Sequence, residues 1–148
     1  MDIDLRALIS KLNVDCRRAL EQAAELCVHQ THYNVEIEHL LLKLIELQAP
    51  DFDLIFRQFD IKPDALAAQI TTATDRFKRG NGRTPALSPH FTALIQEAWI
   101  ISSMHLGEQS IRSGSLLLAL LQVDSLRSML LESAPGLSER ASHHHAGH

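Results

Sequence analysis

With 148 residues, 45% of them hydrophobic and 22% charged, the chain has the size and balance of one soluble globular domain with a substantial core. Its formal net charge of −4 speaks against a nucleic-acid binder, which shows a basic face, and no apolar run approaches the roughly 18 residues a membrane span needs. Aromatic residues make up only 5%, so the core is expected to be aliphatic helix packing.

Glycine and proline punctuate a helical pattern. Residues 2–10 carry Ile3, Leu5, Leu8 and Ile9, a short segment with one apolar side. Asn13 is a candidate N-cap for a long helix to about residue 29, with Leu20, Ala23, Ala24 and Cys27 at three- and four-residue spacing. A polar stretch from His29 to Asn34 breaks it, and a leucine-rich helix over about 36–47 follows as its buried partner. Pro50-Asp51 opens a helix with Phe52, Ile55, Phe56 and Phe59 inward. Pro63 opens another, running to about Phe77, at the position where proline's missing N–H costs nothing. Residues 78–86 read as a solvated loop. Ser88-Pro89 then starts a second long helix, which ends near Leu106-Gly107, with Gly107 in the left-handed C-cap conformation. Ser113 is expected to cap a leucine-rich helix over 114–122. Asp124 is expected to cap a short last one, stopped by Pro135-Gly136, and residues 138–148 form a His-rich linker or tail. No stretch shows the sustained alternation of a strand, so the fold class is all-α.

The chain repeats itself. The pattern from Leu12 to Ala24 returns from Leu87 to Trp99, at an offset of 75 residues, and His39–Ile45 returns as Ser115–Leu121, at an offset of 76. One extra residue in the intervening loop accounts for the change. A duplicated helical unit implies two halves related by a pseudo-twofold axis, one spanning about 12–78 and the other about 87–137, within a single domain over 1–137. Such a module presents surfaces and grooves. Trp99, the sole tryptophan, stands where the first repeat has Ala24 and is assigned to the core or the repeat interface, or else to a groove edge.

Signs of catalysis are scarce. A phosphate-binding loop needs G-x-x-x-x-G-K-[ST], and Gly80 and Gly82 are neither spaced nor followed that way. A G-x-S-x-G elbow is missing as well. Eleven residues apart on one helix, Cys16 and Cys27 lie roughly 16 Å from each other, whereas a disulfide needs Cα atoms within about 7 Å. They are expected to be small core side chains. His29, His32 and His39 offer imidazoles of the kind that ligate zinc, which keeps a metal-dependent enzyme as an alternative. The plainer reading puts His29 and His32 at a helix end and its loop, capping carbonyls or meeting solvent, with no metal bound. Glu36 and Glu38 read as helix-start charges favoured by the dipole. The charged N-terminus, Met1-Asp2-Ile3-Asp4-Leu5-Arg6, is unlike a signal peptide, so a cytoplasmic protein is expected.

Two copies of a four-helix unit, a leucine-rich second helix in each, and the run Phe59-Asp60-Ile61-Lys62-Pro63-Asp64-Ala65-Leu66 resemble the Clp N-terminal domain, the module heading AAA+ unfoldases. Residues 12–21, 33–41, 80–89 and 111–114 are most similar to its ClpV branch, from bacterial type VI secretion. That resemblance implies a non-catalytic recognition domain that binds an N-terminal helix of the large sheath subunit, VipB or TssC, so that the sheath can be disassembled and recycled. It implies an isolated domain that is monomeric, a hexameric full-length protein, and ATP and Mg²⁺ confined to ATPase modules outside this chain, which itself takes no cofactor. By the same resemblance, peptide-binding residues are expected at Leu8, Ile9, Leu12 and Asn13 against Leu87, Phe91, Leu94, Ile95 and Ala98. The latter five form one helical stripe, and Phe91→Arg is expected to abolish binding while helicity survives. The alternatives are a ClpA, ClpB or ClpC type of N-domain docking an adaptor protein or unfolded substrate, and a structural spacer without a ligand.

Overall fold

The structure, a computed structural model, describes residues 5–122 together with 127 and 128. The expected Asp124 cap, the Pro135-Gly136 stop and the tail at 138–148 lie outside the described residues. The elements follow in order: α1 Leu5–Ile9, α2 Val14–His29, β1 Asn34–Val35, α3 Ile37–Leu47, α4 Pro50–Gln58, α5 Pro63–Thr74, β2 Ala86–Leu87, α6 His90–Ile100, a π-helical turn Ile101–His105, and α7 Ser113–Gln122. Asn13 caps α2 as its side chain dictates, accepting the Cys16 N–H at 2.8 Å. Pro89 has helical dihedrals, and the Ser88 hydroxyl accepts from the His90 N–H at 3.3 Å, so the start of α6 follows the Ser-Pro signal. Gly107 adopts the left-handed conformation (φ +66°) that ends this helix. Two expectations shift slightly: α5 stops at Thr74 in a run of i→i−3 turns, and Ser113 is the first residue of α7 and not its cap.

The all-α reading holds, with one addition. Two-residue β1 and β2 pair in parallel, Asn34 beside Ala86 and Val35 beside Leu87, and an isolated parallel bridge joins Leu12 to Ile111. These two contacts are the same contact seen twice. Asn13 N–H donates to the Ile111 carbonyl (2.9 Å) as Ser88 N–H donates to the Val35 carbonyl (3.0 Å). Each repeat thus lends the residues before its first helix to the residues before the second helix of the other. That exchange is the pseudo-twofold relation expected from the duplication.

The extra residue of the second repeat sits elsewhere than expected. At the end of α2, Thr31 N–H donates to the Val28 carbonyl and His32 N–H to the Cys27 carbonyl, both at 3.0 Å, a Schellman closure with Thr31 at φ +57°. At the end of the second long helix Glu108 N–H reaches the Ser102 carbonyl at 2.7 Å, one residue further back. Ser102 is the counterpart of Cys27 at the offset of 75, and Glu108 that of His32 at 76. The insertion therefore lies between them, in the π-helical turn and not in the loop that follows; a π turn is how a helix absorbs one residue.

The core runs through both halves. Cys16, Ala19, Leu20, Ala23 and Cys27 form the buried stripe of α2. Ile37, Leu40, Leu41 and Leu44 meet it from α3, and Phe91, Leu94, Ile95, Ala98, Leu116, Leu117 and Leu120 fill the second repeat. Phe52 and Phe56, edge to face at 5.4 Å between centroids, bring α4 into it.

Candidate functional site

The nine residues expected to form a peptide groove separate cleanly by burial. Phe91, Leu94, Ile95 and Ala98 have no more than 1% of their surface exposed, and Leu8 and Leu12 are buried as well. The α6 stripe points into the core because it is the counterpart of the α2 stripe, and each repeat must bury one such face to fold. These six residues support the surface from beneath. Phe91→Arg would drive a charge into the core, so it tests folding before it tests binding. Ile9 and Leu87 are half-buried and reach the surface, as does Asn13, whose side chain is engaged as the α2 cap. Leu87 belongs to the β1–β2 pair beside Val35, whereas Leu12 belongs to the equivalent bridge beside Ile111.

What the fold does assemble at the surface is the seam where α1 packs on α6. Lys11, just past α1, lays its Nζ over the Trp99 ring at 5.0 Å from the centroid. Trp99 is half-buried, its carbonyl accepting the Ser103 hydroxyl at 2.7 Å on the next turn. Trp99 thus joins core to surface, between the two roles its sequence position left open. Lys11 was not among the expected residues. Its contact depends on tertiary packing between elements nearly ninety positions apart, and periodicity carries no trace of it.

A second cluster lies inside the first repeat. The ligating atoms of Cys27, His32 and His39 all fall within 4.8 Å of one another, and all three residues are buried. His32 therefore does not meet solvent as expected. His29, the third imidazole of the alternative metal reading, is exposed, and Cys27 stands in its place. The helix explains the exchange: Cys27 lies four residues from Ala23 on the buried stripe, while two further residues turn His29 about 200° away.

Cysteine and histidine are a zinc-like donor set, but the hydrogen bonds here are committed otherwise. Glu36 N–H donates to His39 Nδ1 at 2.9 Å, so that nitrogen carries no proton. The proton of neutral His39 then sits on Nε2 and is given to His32 Nδ1, also at 2.9 Å. His32 in turn carries its proton on Nε2, a buried atom without a hydrogen-bond partner. A metal on His39 Nε2 needs the proton moved to Nδ1, against the Glu36 N–H. Cys27 Sγ faces the His32 and Asn34 carbonyls at 3.6 and 3.2 Å, as a protonated thiol does.

The electrostatics agree. Burial, and then the neighbouring His32, hold His39 down to about 4. Burial also lowers His32, with Arg79 adding to the effect and Asp75 opposing it. Burial pushes the Cys27 thiol up to about 11, with Glu36 adding to it, and Cys16 up to about 12. Neither thiol is activated as a nucleophile, and both cysteines are free and buried, as their spacing requires.

Phe77 closes the cluster edge-on, 5.4 and 5.5 Å from the two imidazole centroids. The 78–86 loop is more than a solvated link. Asn81 N–H donates to the Thr31 carbonyl (3.0 Å), its side-chain amide donates to the His32 carbonyl (3.1 Å), and Gly80 N–H donates to the Thr31 hydroxyl (3.0 Å).

Residues 11–134 match the Clp repeat N-terminal domain family. The chain is 33% identical over 129 residues to the AAA+ ATPase ClpV1 of Pseudomonas aeruginosa; the match takes in 87% of this chain and 14% of that protein, so the chain spans about a seventh of its relative. Its fold superposes on the N-domain of ClpV from Vibrio cholerae with a TM-score of 0.78 at 32% identity, covering 97% of this chain and 90% of that one. On a complex of a ClpV N-domain with a VipB peptide the TM-score is 0.74 at 35% identity, with 89% and 84% covered. Among the described residues no helix is long and apolar enough to cross a membrane. Duplicated helical pattern, crossed strand pairs and family match agree: the chain belongs to the Clp repeat N-terminal domains, the non-catalytic leading modules of AAA+ ATPases.

Proposed function

We propose that this domain captures the N-terminal helix of a type VI sheath subunit of the VipB or TssC kind and presents it to ATPase modules for sheath disassembly and recycling. The observation that carries the reading is the seam of α1 on α6, which carries the half-buried Ile9 and the lysine–tryptophan contact at its surface, while Phe91, Leu94, Ile95 and Ala98 of α6 are buried in the core. Its support from relatives is the likeness to a ClpV N-domain solved with a VipB peptide. Leu8 and Leu12 are buried beneath this surface, Asn13 caps α2 beside it, and Leu87 lies in the strand pair just before α6.

In this reading binding needs no cofactor of its own. ATP and Mg²⁺ act in the ATPase modules, the isolated domain is a monomer, the setting is the bacterial cytoplasm, and a hexamer raises a modest single-site affinity by avidity. A short disordered segment loses entropy as it folds onto the surface, which places the single-site affinity in the micromolar range, roughly 8 kcal/mol.

Fluorescence anisotropy with a labelled peptide from the N-terminus of the sheath subunit tests this, beside a scrambled peptide of equal composition. Saturable binding of the first alone is expected, and Ile9→Glu should abolish it with the circular dichroism spectrum unchanged. Equal behaviour of the two peptides would reject the ligand.

A further inference from the structure

Between residues 5 and 18 the exposed surface carries Arg6, Lys11, Arg17 and Arg18 against a single acidic side chain, Asp15, in a chain whose net charge is −4. The cations differ in how they are held. Arg17 folds back to donate to the Leu12 carbonyl at 3.2 Å. Lys11 rests on an uncharged ring, and among the described residues it makes no ion pair. Its backbone is fixed at both ends: its N–H donates to the Leu8 carbonyl at 3.0 Å, and its carbonyl accepts the Ile111 N–H at 2.7 Å. The ammonium is thus carried on a flexible stem from an immobile base, over the one tryptophan of the chain, at the edge of the α1–α6 seam. A cation parked on a half-buried aromatic ring at the surface is weakly held and exchanges readily for a carboxylate.

We propose that Lys11 determines specificity in the seam: it selects a helix bearing a carboxylate three or four residues from its apolar anchor. That spacing puts both groups on one face of the incoming helix. The apolar anchor lies against Ile9 and Trp99, and the carboxylate draws the Lys11 ammonium off the indole, in a stretch of exposed surface whose charge favours acidic segments. The inference rests on the docking reading above and adds the chemistry of the partner.

Two tryptophan-free model helices with the same leucine stripe test it, one with Glu and the other with Lys at the flanking position. Trp99 emission then reports the seam directly, because no other tryptophan contributes. The wild-type domain should bind the Glu peptide about fivefold more tightly, the size of one partly exposed ion pair. Lys11→Glu should reverse the preference. Lys11→Met should erase it while the emission still responds to both peptides. Arg57→Glu, the same charge change on α4, should leave it intact. If emission responds to both peptides with equal affinity in wild type and in Lys11→Glu, the role of Lys11 is overturned and the seam stands. If neither peptide changes the emission, the seam itself is rejected and the proposal falls with it.

Discussion

Where the first repeat buries Cys27, His32 and His39 between α2, the α2–β1 corner and α3, the second buries Ser102 and Ser115, whose hydroxyls meet at 2.7 Å. The positions correspond, 27 with 102 and 39 with 115, so one backbone frame is closed in two chemical ways. His39 also takes part in the capping box of α3, its ring accepting from the Glu36 N–H. At the position equivalent to Glu36 the second repeat has Arg112, which reaches across to Asp51 of α4 at 3.2 Å. The first repeat satisfies its second helix locally and with titratable groups; the second does so with neutral hydroxyls and a contact to its neighbour. Acid should therefore attack the two halves unequally, although their folds are alike.

The largest effect is expected from His39→Ala. It leaves the Glu36 N–H and His32 Nδ1 without partners in a buried site and opens a cavity between α2 and α3. Each of these costs free energy, and together they amount to about 4 kcal/mol. Urea denaturation followed by circular dichroism measures this, and a loss below about 1 kcal/mol would mean the relay contributes nothing. Acid breaks the same relay without a mutation. His39 is held down to about 4 from an ordinary 6.5, and His32 is lowered as well. The unfolded chain binds these protons first, so the stabilisation is complete above pH 6.5 and drains away as the pH falls toward 4. His39 alone accounts for about 3 kcal/mol by pH 4. Its mark is a slope of stability with pH that is shallower in His39→Ser than in wild type across that window.

Ser102→Ala probes the other half. It removes one buried hydroxyl and leaves the Ser115 oxygen without the donor it accepts from, at a cost of about 1.5 kcal/mol. Because neither serine titrates, the deficit relative to wild type should be the same at pH 7 and pH 5. A deficit that grew in acid would mean the two halves do not differ as their chemistry states.

Much of this frame was readable in the sequence because local rules place it. Asn13, Pro63, Ser88-Pro89 and Gly107 mark helix ends by steric and hydrogen-bonding constraints that act within a few residues. The duplication located the twofold. The candidate site was less legible. A stripe at 91, 94, 95 and 98 has the same spacing whether it faces a ligand or the core, and the packing of α7 and α1 on α6 goes with its burial. The histidines misled for a related reason. His32 follows a helix end, where polar residues usually meet water, but the left-handed Thr31 turns it inward, and Asn81 from 49 positions away seals the corner. Lys11 over Trp99 is a product of tertiary contact, outside the reach of any window along the chain, whereas the inserted residue showed in the repeat offset and only its place, in the π-helical turn, did not.

The smallest effect separates the two ways of closing the frame at their outer edge. Arg112 sits before the first turn of α7, where the helix dipole disfavours a cation, and Asp51 and Glu108, at 3.2 and 3.6 Å, offset that. Arg112 is half exposed, so the pair is screened, and Arg112→Ala should cost no more than about 0.5 kcal/mol. Asp51→Ala should cost more than Arg112→Ala. It removes the better-buried partner and leaves the cation at the positive end of the helix, whereas removing the arginine leaves a carboxylate that the α7 N–H groups favour. Thermal denaturation of the two variants at low ionic strength compares them, and 0.5 M salt should shrink the difference. If Arg112→Ala proved the more damaging, the arginine would be holding α4 and α7 together by packing its stem, and the capping exchange between the repeats would have no electrostatic basis.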